Sequence, residues 1–67
     1  MYFYGLYLYD LLLAITEDKN KAIKAAEQAT MPATVNLFEI VKSDNRPKIK
    51  DNGIIYENKA QQEINNK

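Results

Sequence analysis

Five carboxylates, Asp10, Glu17, Asp18, Glu39 and Glu57, are the side chains of this 67-residue sequence best suited to acid and base chemistry. Two carboxylates whose surroundings push their pKa values apart can divide such work between them. No spacing here forces two of them together, and Glu17 and Asp18 have a ready structural use at a helix start. Histidine and cysteine are both absent, which excludes imidazole acid/base catalysis, thiol nucleophiles, disulfides and zinc sites of the Cys/His kind. The oxygen donors Asp44, Asn45, Asp51 and Asn52 lie close in sequence but lack the spacing of a calcium loop and suit turns instead. The two glycines, Gly5 and Gly53, do not build a phosphate-cradling loop. The chain therefore reads as non-enzymatic, with no cofactor and no metal.

Two constellations remain that could bind rather than react. Arg46, Lys48 and Lys50 with Tyr56 could hold a nucleic-acid backbone and stack a base. Asp51 and Glu57 lie among them, and nine basic residues balance nine acidic ones, so no global field draws the protein to a polyanion. Nucleic-acid binding is thus the alternative reading. The leading one rests on Tyr2, Phe3, Tyr4, Tyr7 and Tyr9, which sit with a single charge, Asp10, in the first fifteen residues. Tyrosine offers large, rigid, amphipathic contact area and is enriched at protein interfaces. These aromatics are the expected partner-binding residues.

The elements that must position these residues follow from pattern. The opening run is shorter than the roughly 20 apolar residues a membrane helix needs, and neither a basic flank nor a small-residue cleavage site marks it as a signal peptide. Its aromatics and Gly5 favour a strand over residues 2–9. Alternation gives it two faces, Tyr2/Tyr4/Leu6/Leu8 and Phe3/Gly5/Tyr7/Tyr9, both apolar or aromatic, so both call for a cover. Asp10 marks an exposed bend. Residues 11–15 form a second apolar run, readable as strand or helix and taken here as a strand. Thr16 is placed to cap a helix that runs to about Ala29, with Glu17 and Asp18 in its first turn and a face of small residues, Ala22, Ala25, Ala26 and Ala29, around Ile23. Pro32 stops it. Residues 34–42 form a strand with imperfect alternation, Val35, Leu37 and Val41 sharing a face with Glu39, and Phe38 and Ile40 the other with Asn36; this suits a central strand partly covered on both sides or one with a bulge near Glu39.

Residues 43–47 read as a loop, and Asn52-Gly53 as a two-residue type I′ hairpin turn. That turn pairs Ile49 with Tyr56 and Lys48 with Glu57. The polar segment 58–67 reads as a frayed or weakly helical tail. The expected fold is an α+β domain over residues 1–57, one helix on a mainly antiparallel sheet, in the order β-β-α-β-β-β.

A domain of about 60 residues buries only roughly 60% of the surface its unfolded chain exposes, and with no disulfide available its support must come from packing or association. A homodimer that also engages a protein partner is expected, with no membrane contact. Seven Asn, eight Lys and seven Ile imply A/T-rich codons. This composition suits a bacterial or phage gene, and with it an inhibitor that occludes or bridges a host protein in the cytoplasm.

Overall fold

The computed structural model describes residues 1–66. It contains β1 (Tyr2–Leu8), β2 (Leu11–Thr16), α1 (Lys19–Gln28), β3 (Ala33–Ser43), β4 (Arg46–Glu57) and α2 (Lys59–Asn65). The strands form one antiparallel sheet in the order β2-β1-β3-β4, and α1 packs on one side of it. This is the expected α+β architecture of a helix on an antiparallel sheet.

The first half follows the local signals closely. Tyr9-Asp10 forms the tight turn between β1 and β2, with Leu8 opposite Leu11. The helix begins two residues later than its acidic run suggested. Thr16 closes β2, and its hydroxyl accepts from the Asp18 backbone N–H. Asp18 is the N-cap, accepting from the Lys21 N–H. An aspartate in extended geometry satisfies one of the four orphan donors of the first turn, and it leaves no acid within that turn. The side chains of Ala22 and Ala26 are buried against the sheet with Ala33 and Val35, and Tyr4, Leu6, Leu8, Ile23 and Tyr56 pack around them. Alanine lets the helix approach closely but fills little volume. Val35 is the largest side chain fully enclosed.

The second half departs from expectation at its most conspicuous signal. Asn52-Gly53 is not a hairpin turn; it lies within β4. The hairpin turns instead at Asp44-Asn45, whose φ values of 51° and 66° carry the two positive-φ residues of a type I′ loop between Ser43 and Arg46. Asp and Asn tolerate this geometry better than other non-glycine residues. A turn at residues 52–53 could pair only short strands with each other. A turn at 44–45 pairs β4 with β3 along its whole length and seats Tyr56 beside Val35 in the core. The expected Lys48/Glu57 pair is therefore absent, because the two residues lie nine apart on one strand, about 30 Å. Pro47 is accommodated because β4 is an edge strand, where a missing N–H breaks no ladder.

Gly53 keeps a conformational role, with φ 93°. β4 carries one extra residue between the Tyr56 and Ile54 pairings and another between Ile54 and Asp51. These bulges lie in β4, opposite residues 35–38 of β3; β3 pairs regularly with β1 and is the central strand that its mixed alternation allowed, with no bulge of its own. The Asp51 carboxylate accepts from the Gly53 N–H at 2.8 Å and holds the second bulge in shape.

Asn58, which the sequence pattern assigned to the tail, is 2% exposed. Its Oδ1 accepts from the backbone N–H groups of Ala33 and Gln61, and its Nδ2 donates to the carbonyls of Met31, Ala26 and Ala29. One amide thus caps α2, takes up orphan carbonyls at the end of α1 and fixes the start of β3. The α2 helix then runs over residues that the sequence reading left frayed or weakly helical.

Candidate functional site

The sheet has two faces with different fates. Tyr4, Leu6 and Leu8 of β1, with Val35 of β3 and Tyr56 of β4, lie beneath α1. The other face carries Phe3, Gly5 and Tyr7 of β1, Leu12 and Ile15 of β2, Asn36, Phe38 and Ile40 of β3, and Ile49, Asp51 and Ile54 of β4. The helix α1 lies on the opposite side of the sheet and does not cover it. Phe3, Ile15, Phe38, Ile40 and Ile49 enclose a shallow, wholly apolar hollow of about 210 Å³. Ile49 is 75% exposed and Ile15 59%.

The glycine at position 5 shapes this face. A Cβ built there would stand 2.6 Å from Cε2 of Phe38 and 3.2 Å from Cδ1 of Leu12. The Phe38 ring therefore lies across the bare glycine backbone, an aromatic covering a strand glycine from the neighbouring strand.

Beside the apolar hollow the same face turns polar. Tyr7, Tyr9, Asp10, Thr34, Asn36, Asp51 and Ile54 line a second depression of about 300 Å³. Asn36 donates to the Asp51 carboxylate at 3.5 Å. A third crevice, about 350 Å³, runs between β2 and α1 past Ala14, Ala22 and Ala25, where the small helix face leaves the flank loosely filled.

The five aromatics expected to bind a partner are divided by this geometry. Phe3 and Tyr7 lie on the open face. Tyr4 packs toward the core. Tyr2 is on the helix side but opposite Glu39, away from the buried cluster, and is exposed. Tyr9 is 61% exposed at the turn with φ 54°, a left-handed geometry that bulky residues rarely adopt, and its N–H donates to the Pro32 carbonyl. Four apolar residues of the open face that the tyrosine cluster did not point to, Ile15, Phe38, Ile40 and Ile49, complete the hollow. Phe38 and Ile40 shared a strand face in the sequence pattern, but Ile49 joins them only once the turn is placed at Asp44-Asn45.

Of the basic set, Arg46, Lys48 and Lys50 alternate along β4 and share one side of the β3–β4 ribbon, opposite Ser43, Val41 and Glu39. Tyr56 is six residues beyond Lys50 and packs on the core, so it offers no free ring beside them. Among the carboxylates, Asp10 lies at a turn, Asp18 caps α1, and Glu57 accepts from the Asn65 side chain. Among the described residues no group of three or more acids could hold a metal ion, and no helix is long and apolar enough to cross a membrane. The sequence matches no protein-family model, and no curated protein or solved structure matches it.

Proposed function

We propose that this chain is a small, non-enzymatic protein-interaction module whose docking surface is the open face of its sheet. One observation carries the reading. A hollow built from Phe3, Ile15, Phe38, Ile40 and Ile49, with no polar side chain around it, stays partly open to water in a chain whose enclosed apolar core is three alanines and a valine. Contiguous apolar surface on that scale, rimmed by polar residues such as Asn36 and Asp51, marks interaction sites on small proteins. Tyr7 and Tyr9 at its margin are residues suited to an interface rim, where one end of the ring is packed and the other wet.

The test is site-specific photocrosslinking in cells. With benzoylphenylalanine at position 49, a discrete protein adduct is expected. With the same group at position 24, on the solvent side of α1, none is. Absence of an adduct at both positions contradicts the proposal.

Nucleic-acid binding through Arg46, Lys48 and Lys50 is the second reading. It draws on the ribbon these residues share, since a two-stranded ribbon fits the major groove. Affinity for a DNA duplex that falls steeply with salt, and that Lys48→Ala weakens, is its expected signature.

A further inference from the structure

We infer that the occupant of the open face is a second copy of this chain, the two sheets packing face to face. The inference rests on the reading of that face as a docking surface.

Area is the first argument. A folded monomer of 7.7 kDa is expected to expose about 4,300 Å². This chain exposes 5102 Å². The surplus, about 800 Å², equals the share one partner buries in a standard protein interface. The shape agrees, because the radius of gyration is 13.0 Å, against about 11 Å for a compact chain of this length, with extents of 43 × 24 × 16 Å. A thin two-layer body becomes an ordinary globule when a second sheet stacks about 10 Å away.

Charge is the second argument. In a two-fold dimer the same patch meets itself, so a patch bearing one sign of charge repels its own copy. Here Lys42 shares the face of Phe38 and Ile40 at one end of the apolar strip, while Asp51 flanks Phe38 toward the other. A two-fold that reverses the strip brings Lys42 of each copy toward Asp51 of the other. The operation that joins the apolar centres thus sets two opposite-charge contacts at their ends. An unrelated partner has no need of this self-complementary layout.

The experiment is molar mass by sedimentation equilibrium over a hundredfold range of concentration, for wild type, Ile49→Asp and, as control, Ile64→Asp, which loses a 51%-exposed isoleucine on α2. Wild type and Ile64→Asp are expected to approach twice the monomer mass, and Ile49→Asp to dimerise at least tenfold more weakly. If Ile49→Asp does not fold, the wild-type melting temperature is read over the same range. A melting temperature that rises with concentration supports the dimer, and one that stays constant overturns it. A wild-type monomer throughout, or a dimer indifferent to Ile49→Asp, also overturns the inference. A monomer that still crosslinks through position 49 in cells rejects the second copy while leaving the docking face intact.

Discussion

The two faces of this sheet are made from the same strands, and often from adjacent residues, yet they are built to opposite rules. Under α1 the helix fully buries only alanines, so it approaches closely over Tyr4, Leu6, Leu8 and Tyr56 of the sheet, and a buried amide, Asn58, satisfies what the packing leaves over. On the far side Ile15, Ile49 and Ile54 are exposed, Phe3, Phe38 and Ile40 are half-buried among their neighbours, and α1 does not cover them. Few side chains are fully enclosed on the covered face, and the open face leaves several large apolar ones partly in water. Substitutions should therefore sort by face, those on the covered side changing stability and those on the open side changing association.

Asn58→Ala attacks the covered side at its polar centre. It strands the Ala33 N–H and removes the donor to the Ala26 carbonyl, both in buried hydrogen bonds, and a loss of about 2–4 kcal/mol in urea unfolding is expected. A loss below about 1 kcal/mol would mean that water replaces the amide without cost. Gly5→Ala tests packing within the open face. The new methyl meets the Phe38 ring at 2.6 Å, and overpacking of this kind costs about 1–3 kcal/mol. It outweighs the gain of about 0.4–1 kcal/mol from a stiffer unfolded chain, so the melting temperature should fall. A rise would place the ring elsewhere.

Gly53→Val should cost about 1–2 kcal/mol, because a β-branched residue cannot hold φ 93° without strain. The space around the glycine is empty, so the whole effect is conformational, and Gly53→Asn should recover much of it. Tyr9→Gly is the smallest and opposite change. Relief of left-handed strain at φ 54° should stabilise the turn by up to about 1 kcal/mol, while the loss of a ring at the polar margin weakens association slightly. No gain in melting temperature would argue that the Tyr9 ring itself supports the fold.

The elements of the first half were legible because local signals and tertiary structure agree there. The two-sided strand, the bend at Asp10, the small-residue face of α1 and the stop at Pro32 each appear where alternation or capping placed them. The later hairpin was legible only in part: its turn at Asp44-Asn45 lies inside the loop read at residues 43–47, but the second turn read at Asn52-Gly53 does not form. Asn52-Gly53 is the stronger local signal, but Asp44-Asn45 wins by giving β4 a full-length partner and bringing Tyr56 to the core. The burial of Asn58 was invisible for a related reason. Its partners come from the end of α1, the linker and the start of β3, and only folding brings them together. For the candidate site, the sequence exposed the surplus of aromatics in β1 and both apolar faces of that strand. Which face α1 would take was not readable, because Leu6 and Leu8 on one side and Phe3 and Tyr7 on the other are equally fit to be buried.

The most direct measurement exploits the absence of cysteine. A single cysteine is placed at position 49 on the open face or at position 24 on α1, and alkylation rates are compared from dilute to concentrated protein. Labelling at position 49 is expected to slow by tenfold or more as concentration rises, while labelling at position 24 stays constant. Equal and unchanging rates at the two positions would contradict the claim that the open face is an interface between copies of this chain.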